Sequence, residues 1–340
     1  MIKKCATPGI LSGLLLGTTL IGNGPFFYFH WFVFFGFLPL WTFWLRGASL
    51  AEVFFSGWIC QFTLGLVAFH WVAYTVNEFS RLGTGFSILV MLFYCALANI
   101  QFPIAGWLWK KFFCAPPFEF RSRIAALAIL TAISQRLGTG IFHWNFGYAW
   151  YYMGWPAAQL ADIAGFRWLC SISICLNGIF VAAWLHKKSL TGAKYFLCGT
   201  LVFIGLNFLG TLHFKKIPPT DALARFLIIQ PGLTNEEKKR LDTEKNAREL
   251  VLEKYFSLTD QALATVRSKP DFVTWPENAF PEILLDQNLS YGLAPKMRDF
   301  ISSRKISLIT GGFGVKLLSD KQNVALTNSI YAINSSGKWE

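Results

Sequence analysis

The stretch that decides the fold of the second half of the chain combines a short apolar run, two prolines and one carboxylate: Val273-Thr274-Trp275-Pro276-Glu277-Asn278-Ala279-Phe280-Pro281. Its β-branched and aromatic residues predict a buried strand, and Pro276 forces the chain out of that strand. Glu277 is therefore predicted at the strand's carboxyl end, the edge of an α/β sheet where loops converge on substrates. We select Glu277 as the candidate catalytic residue. The alternative is a solvated glutamate in a surface turn, as most carboxylates are.

The composition indicates that this stretch belongs to a membrane protein. Hydrophobic residues make up 54% of the chain and charged residues 15%, with 34 Phe and 14 Trp. Soluble domains are about half apolar and about a quarter charged. Only four of the 19 acidic residues precede residue 215, namely Glu52, Glu78, Glu119 and Asp162. We therefore predict two parts, a transmembrane bundle over 1–215 and a water-soluble domain over 222–340.

Apolar segments of the length needed to cross a bilayer recur along the first part. We predict about seven helical spans, over 10–21, 26–45, 50–76, 85–109, 124–135, 168–185 and 195–214. The first and the fifth of these are short. The first follows Lys3 and Lys4 as a signal peptide would, but no small-x-small cleavage motif follows it, so we interpret it as a retained helix.

The basic residues of the loops predict the orientation of these spans, because Lys and Arg are retained on the cytoplasmic side. One set of alternate loops carries Lys3, Lys4, Arg46, Lys110, Lys111, Arg121, Arg123, Lys187, Lys188 and Lys194. The other set carries only Arg81, Arg136 and Arg167. The amino terminus is thus predicted to be cytoplasmic and the soluble domain periplasmic. The net charge of +12 then mostly reflects topology, and nucleic-acid binding is not expected.

The cysteines and histidines do not form a metal or redox pattern. All seven Cys lie in or beside the predicted spans without two-residue spacing, and the five His are isolated in sequence. We therefore expect no metal, no cofactor and no disulfide framework. The soluble part given also contains no cysteine nucleophile.

An aromatic loop between the fifth and sixth predicted spans is the second candidate site. It includes Gly140, His143, Trp144 and Tyr148. Aromatic side chains favour the headgroup level of a bilayer, so an ordinary aromatic belt is one interpretation. The other is a platform over which a lipid chain enters an active site. In that case Gly140, His143, Trp144 and Tyr148 are the candidate substrate-loop residues.

The soluble part alternates strands and helices, which predicts an α/β sheet. We predict strands over 225–230, up to Trp275, over 306–310 and over 328–333, with a helix over 295–303. A long amphipathic helix is predicted to begin near Thr234, with Leu241, Leu250, Tyr255, Leu258 and Leu263 on its apolar face. The glycine cluster at 311–314 lacks the spacing of a phosphate loop and is interpreted as a tight turn.

Several short motifs together resemble one enzyme family. The soluble part contains Gln230-Pro231 after its first strand, the Trp-Pro-Glu-x-Ala-x-Pro stretch, Thr310-Gly311-Gly312, and Asn328-Ser329-Ile330 ahead of a Ser-Gly turn. These resemble the first half of a nitrilase-type domain, which has an αββα architecture. The bundle adds Pro39-Leu40, Trp71 and the stretch 159–165 leading to Asn177. In this combination the chain resembles apolipoprotein N-acyltransferases.

The resemblance implies a two-step acyl transfer at the outer surface of a bacterial inner membrane. A cysteine thiolate takes an acyl chain from a phospholipid as a thioester and passes it to the amino group of diacylglyceryl-cysteine in a lipoprotein. Glu277 matches the family's general base. The family's catalytic lysine and cysteine fall beyond Glu340, so the domain is expected to be incomplete in this chain. Phe142 and His143 stand where family members have Pro-Trp, with Trp144 one place late.

Two other functions remain open at the level of sequence. One is a non-catalytic relative that binds lipid or a partner with the bundle and part of the domain. The other is a membrane-tethered amidase acting on a soluble substrate. The outward-facing aromatic loop argues against the amidase.

Overall fold

The computed structural model describes residues 2–22, 27–80, 82–97, 100–138, 141–142, 144–215, 224–234, 237, 240, 244, 246–285, 288–317 and 324–339. The chain divides into two compact units, Met1–Pro218 and Pro219–Glu340. We call them the helical unit and the α/β unit.

The helical unit contains eleven α-helices and two 3-10 segments among its described residues. The α-helices are α1 (Ile2–Thr18), α2 (Leu38–Leu45), α3 (Leu50–Ala68), α4 (Trp71–Ser80), α5 (Thr84–Leu97), α6 (Gln101–Phe112), α7 (Phe120–Leu137), α8 (Tyr148–Tyr152), α9 (Ala161–Ala164), α10 (Phe166–Leu185) and α11 (Leu190–Lys215). The 3-10 segments are Phe27–Phe34 and Pro156–Leu160.

Five stretches of the described residues are long and apolar enough to cross a membrane: Tyr28–Leu45, Leu50–Ala68, Thr84–Phe112, Phe166–Leu185 and Leu190–Lys215. They correspond to the second, third, fourth, sixth and seventh predicted spans. The other two predicted spans are helices, but α1 has only 17 residues and α7 carries Arg121, Arg123 and Arg136. The number of crossings therefore stays a prediction.

Three predicted spans are interrupted in the structure. The segment 26–45 is divided between the 3-10 segment Phe27–Phe34 and α2 (Leu38–Leu45). The segment 50–76 is divided between α3, which ends at Ala68, and α4, which begins at Trp71. The backbone N–H of Phe69 closes α3 on the carbonyl of Gly65 at 2.8 Å. No Gly or Pro stands at this break, so the sequence does not mark it. The segment 85–109 is similarly divided between α5 and α6.

The interior of the helical unit joins its elements through buried polar side chains and close helix contacts. Asn177 on α10 accepts a hydrogen bond from the Phe37 backbone at 3.0 Å and donates one to the Val33 carbonyl at 2.7 Å. Helix α1 packs closely on α3, since a Cβ at Gly13 would lie 2.6 Å from the Cys60 carbonyl oxygen. Small residues at such contacts let helix backbones approach, as is usual inside membranes.

The α/β unit is built on one five-stranded sheet. Its strands are β1 (Phe226–Ile228), β2 (Phe272–Thr274), β3 (Ile283–Leu284), β4 (Leu308–Leu317) and β5 (Val324–Ile333). Strands β1, β2, β4 and β3 pair in parallel, and β5 pairs antiparallel with β4. Helices α12 (Ala247–Thr265) and α13 (Ala294–Arg304) contribute to the same core as the strands. This confirms that apolar helices are followed along the chain by an α/β unit with parallel strands.

Aromatic side chains join the helices and strands in the core of the α/β unit. Trp275 is 2% exposed and lies 4.9 Å from Tyr255 between ring centroids. Phe256 stacks on Phe300 at 4.2 Å, which joins α12 to α13. The indole Nε1 of Trp275 donates to Thr259 Oγ1 at 3.0 Å. The residue just before the Pro-Glu motif is therefore fixed by both packing and a buried hydrogen bond.

One face of the β4–β5 hairpin leaves its apolar side chains exposed. These are Phe313, Val315, Val324, Leu326 and Ile330, with exposed fractions of 42, 40, 62, 67 and 81%. Side chains at alternate positions of a strand share a face, so they form one surface. We call this surface the hairpin face.

Two sequence predictions for the α/β unit are wrong in detail. The predicted turn at 311–314 is instead the middle of β4, paired with β5 from Gly311↔Ile330 to Gly314↔Thr327. Leu250, predicted on the apolar face of the long helix, is 60% exposed, whereas Val251 and Leu252 are buried. Thr234 and Glu237 form the capping contacts expected of a helix start. Glu237 and Arg240 are helical, and a helix spans Ala247–Thr265, whereas Leu241 lies outside the described residues.

Candidate functional site

Glu277 lies in the loop that joins β2 to β3, after β2 ends at Thr274. Both strands pair in parallel with β4, with Val273 opposite Leu308 and Ile283 opposite Phe313. The loop therefore begins at the end of one strand that pairs with β4 and ends at the start of another strand that pairs with the same edge of β4. This places the Pro-Glu motif alongside the middle of β4, at the carboxyl end of β2 as the sequence predicts.

Gly311 makes this approach of loop and strand possible. Its backbone N–H donates to the Pro276 carbonyl at 3.3 Å, and its own carbonyl accepts from the Ala279 backbone at 3.1 Å. A Cβ at Gly311 would lie only 2.7 Å from Glu277 Cα, closer than real side chains come. Asn278 takes a left-handed conformation, with a φ of 53°. The backbone of the loop is thus fixed from both sides of Glu277.

The Glu277 carboxylate is exposed, and one of its oxygens is held by a side chain of β5. Asn328 Nδ2 donates to Glu277 Oε1 at 2.5 Å. Among the described residues, Oε2 has no hydrogen-bond partner. A carboxylate oriented through one oxygen and open at the other is suited to accept a proton from a substrate or nucleophile.

From the sequence alone, Asn328 is part of a motif without an assigned role. It lies opposite Phe313 in the β4–β5 pairing, between the exposed Leu326 and Ile330 of the hairpin face. A polar residue at a position where the alternation of β5 requires an apolar one is the signal that could have marked it. The Glu277–Asn328 pair thus lies beside an apolar surface.

Tyr255 packs in the core against Trp275, two residues before Glu277, and it does not supply a second base. Burial raises the pKa of its phenol to about 12, so it remains neutral. Its ring packs on Trp275 and supports the start of the loop.

The aromatic loop of the helical unit lines a cavity of about 440 Å³, which we call the loop cavity. Of the four predicted loop residues, Trp144 and Tyr148 both line it. Gly140 and His143 lie outside the described residues. The other lining residues are Gln101, Ala132, Gln135, Arg136, Gly138, Phe142, Asn145, Ala164, Gly165, Phe166, Arg167, Cys170 and Ser171.

Aromatic contacts and local hydrogen bonds hold the wall of the loop cavity. Phe142 packs on Trp71 with ring centroids 4.7 Å apart, and Tyr148 packs on Phe166 at 5.0 Å. Asn145 Oδ1 accepts from the Gly147 backbone at 2.7 Å, which turns the chain into α8. The sequence identified this loop by its aromatic residues, but it did not predict that Arg136 and Arg167 lie at the same cavity.

The structure shows no clustered metal ligands in the part of the chain that it describes. No group of three or more His, Cys, Asp and Glu side chains there could hold a metal ion. Side chains at the two candidate sites include a carboxylate, guanidinium groups and aromatic rings.

Comparison with known proteins shows one recurring likeness. The chain is 28% identical over 335 residues to an apolipoprotein N-acyltransferase of Bdellovibrio bacteriovorus, covering 96% of this chain and 59% of the relative. It is 25% identical to the enzyme of that name from Rhizobium rhizogenes, covering 85% of the chain and 53% of the relative. No family model matches the chain.

A third relative, named apolipoprotein N-acyltransferase 2 in Leptospira interrogans, is 24% identical over 272 residues, which cover 75% of the chain and 43% of the relative. The chain thus spans about half the length of the curated relatives it matches. The likeness extends through both units. The resemblance inferred from short motifs is therefore confirmed: over most of its length, this chain is similar to apolipoprotein N-acyltransferases.

Proposed function

We propose that the protein takes part in the N-acylation of lipoproteins, with Glu277 as general base. The acyl donor is a phospholipid and the acceptor is the amino group of diacylglyceryl-cysteine. The observation that supports this proposal most directly is the geometry of Glu277. Its loop is fixed around Gly311, one carboxylate oxygen is held by Asn328, and the other has no partner among the described residues.

The reaction needs a base at two moments. Glu277 takes the proton of a cysteine thiol as sulfur attacks the ester carbonyl of the donor, and it returns the proton to the departing lysophospholipid oxygen. The acceptor amine then attacks the thioester, gives its proton to Glu277, and releases the thiolate. In this proposal the thiol belongs to the part of the relatives' length that this chain does not span.

The hairpin face provides an apolar surface next to the proposed base. Its exposed apolar side chains lie beside Asn328, so a long acyl chain or a further apolar segment could pack next to the carboxylate. The nitrilase-type αββα architecture belongs to the same proposal, because it would cover such a face with a second sheet.

The proposed location is a bacterial inner membrane, with a cytoplasmic amino terminus and a periplasmic α/β unit. The five apolar helices support membrane insertion. The distribution of Lys and Arg between alternate loops supports the orientation. An odd number of crossings, such as the seven predicted from the sequence, brings the α/β unit to the outer side.

The test is acyl transfer in a bacterial strain depleted of its own N-acyltransferase and supplied with a gene that joins this chain to the remaining length of a relative, so that the proposed thiol is present. We expect Glu277→Gln to abolish N-acylation, because an amide cannot accept the proton. The readouts are the mass of lipoprotein amino-terminal peptides and the thioester formed with a labelled phospholipid. The matched control is Glu253→Gln on α12, an exposed glutamate of the same unit.

Normal thioester formation by the Glu277→Gln protein would contradict the base assignment. A second outcome favours another function: if the unaltered protein inserts, binds phospholipid and never acylates, it is a lipid-binding relative without catalysis. The loop cavity is the observation that favours this second candidate.

A further inference from the structure

One segment of the chain joins the wall of the loop cavity to α11. This segment, 156–164, consists of the 3-10 segment Pro156–Leu160 and α9 (Ala161–Ala164), and we call it the α9 segment. Its last residue and the three residues that follow it line the loop cavity, namely Ala164, Gly165, Phe166 and Arg167. The position of the α9 segment therefore sets one wall of that cavity.

The first part of the α9 segment lies close against α11. The side chain of Asn207 on α11 accepts a hydrogen bond from the Ala157 backbone N–H at 3.3 Å. A Cβ at Gly210 would lie only 2.7 Å from the Ala157 nitrogen, closer than real side chains come, so glycine permits this approach. Asn207, Gly210 and His213 follow one another at intervals of three residues, which places neighbouring members of the series on the same side of the helix.

The second part of the segment, α9, has little packing of its own. None of its four residues is buried, and Ile163 is 69% exposed. The carboxylate oxygen Oδ2 of Asp162 lies 2.6 Å from Nε2 of His213, in the last turn of α11. In the part of the chain that the structure describes, this is the only ion pair or hydrogen bond formed by a side chain of α9. The Asp162–His213 pair therefore holds α9 in place.

The place of His213 in the sequence calls for a reason of its own. It lies within Leu190–Lys215, one of the stretches apolar enough to cross a membrane. Ionisable side chains in such stretches are rare and are usually paired, because they are costly to bury alone. The buried residues of α11 are three glycines, so core packing does not require a histidine in this helix. The partner that the structure shows for His213 is Asp162.

We propose that Asp162 and His213 are positioning residues for the loop cavity. Their contact holds α9 against α11 and so fixes residues 164–167 as a wall of the cavity. Their side chains are 56% and 27% exposed, and ion pairs of this kind contribute modestly, so breaking the contact opens the wall more often without unfolding the helices. The use of this cavity in acyl transfer rests on the proposed function, whereas the positioning of its wall does not.

The thiol of Cys170 reports the state of the wall without any assay of activity. It lines the loop cavity and is 3% exposed, so its reaction with an added reagent depends on local opening. The test is alkylation of the full chain in detergent by N-ethylmaleimide, followed by peptide mass spectrometry. We expect Asp162→Ala and His213→Ala each to raise the rate at Cys170 about two- to fivefold. The rate at Cys60, which is buried on α3, should stay unchanged.

Matched variants separate the pair from general changes in the same two helices. Ile163→Ala on α9 and Lys215→Ala in the last turn of α11 should leave the rate at Cys170 unchanged. A double variant, Asp162→His with His213→Asp, exchanges the two side chains and rebuilds their contact. It should return the rate to that of the unaltered protein, which loss of packing at either position would not do.

Three results would overturn the proposal. The first is an unchanged rate at Cys170 in both alanine variants, and the second is an exchanged double variant that reacts as fast as they do. The third is faster hydrogen exchange throughout the helical unit, because we expect the increase only in the peptides that cover 156–167.

Failure of the proposed function is distinguishable from failure of this inference. In the protein joined to the remaining length of a relative, the two alanine variants should raise KM for the phospholipid and leave kcat unchanged. If the unaltered joined protein does not acylate, the proposed function fails. The alkylation of Cys170 still tests the positioning of the wall.

Discussion

The two units hold their candidate sites in different ways. In the helical unit, guanidinium and aromatic side chains line a cavity, and the helices that carry them pack through buried residues such as Asn177 and Gly13. In the α/β unit, an exposed carboxylate is placed by the backbone, through a loop fitted around Gly311. The comparison indicates that the first site should tolerate changes of side chain without loss of fold. The second site should lose its geometry when a single methyl group, the Cβ of an alanine, is added at Gly311.

The largest expected effect in this comparison is that of Gly311→Ala. The added Cβ would lie 2.7 Å from Glu277 Cα, so backbone must move. We expect the free energy of unfolding of the α/β unit to fall by about 1–3 kcal/mol, together with loss of acylation. Hydrogen exchange resolved by peptide measures this in each unit separately.

The neighbouring glycine supplies the control for this prediction. A Cβ at Gly312 would meet its nearest atom, on the Tyr331 ring, at 3.6 Å, an ordinary contact. Gly312→Ala should therefore leave both the exchange pattern and the acylation close to those of the unaltered protein. Equal effects of the two substitutions would show that the loop is not fitted to Gly311.

Loss of the Asn328 side chain should have a smaller effect, confined to chemistry. Asn328→Ala removes the donor to Glu277 Oε1 but keeps the strand. A hydrogen bond to a charged group contributes about 1.5–3 kcal/mol, so we expect kcat/KM for thioester formation to fall about ten- to hundredfold. Ser329→Ala, on the opposite face of β5, is the matched control. If both variants react at the normal rate, Asn328 does not orient the base.

The smallest expected effect is on how the folding stability of the α/β unit changes at acid pH. The backbone N–H of Thr234 and then the Lys254 ammonium lower the pKa of Glu237 from 4.5 to about 2. Because the folded-state pKa is depressed, the stabilisation is present above about pH 4.5. It is lost as the pH falls towards 2.

Glu237→Gln should remove this part of the acid sensitivity, and Glu253→Gln should not. The measurement is peptide-resolved hydrogen exchange between pH 5 and pH 2, corrected for the intrinsic rate at each pH. An unchanged pH profile in the Glu237→Gln protein would show that its carboxylate does not stabilise the folded α/β unit.

Much of the architecture could be predicted from local patterns. The apolar helices, the parallel α/β sheet and the place of Glu277 after β2 all follow from periodicity, composition and one proline. The break at Phe69 within the span 50–76 could not be predicted in this way, because no Gly or Pro marks it. The turn predicted at 311–314 was wrong for a similar reason. Gly311 is needed because the neighbouring loop passes too close to β4 for a side chain, and not because β4 bends there.

The sequence by itself determined the division into two parts, the candidate base and the likeness to apolipoprotein N-acyltransferases, because each depends on residues close together in the chain. Only the tertiary structure brought Asn328 to Glu277, 51 residues away. Only the tertiary structure placed Arg136 and Arg167 at one cavity with Gln101. The physical reason is that hydrophobic periodicity and charge act locally. Hydrogen-bond partners and cavity walls are instead selected by the packing of segments distant in sequence.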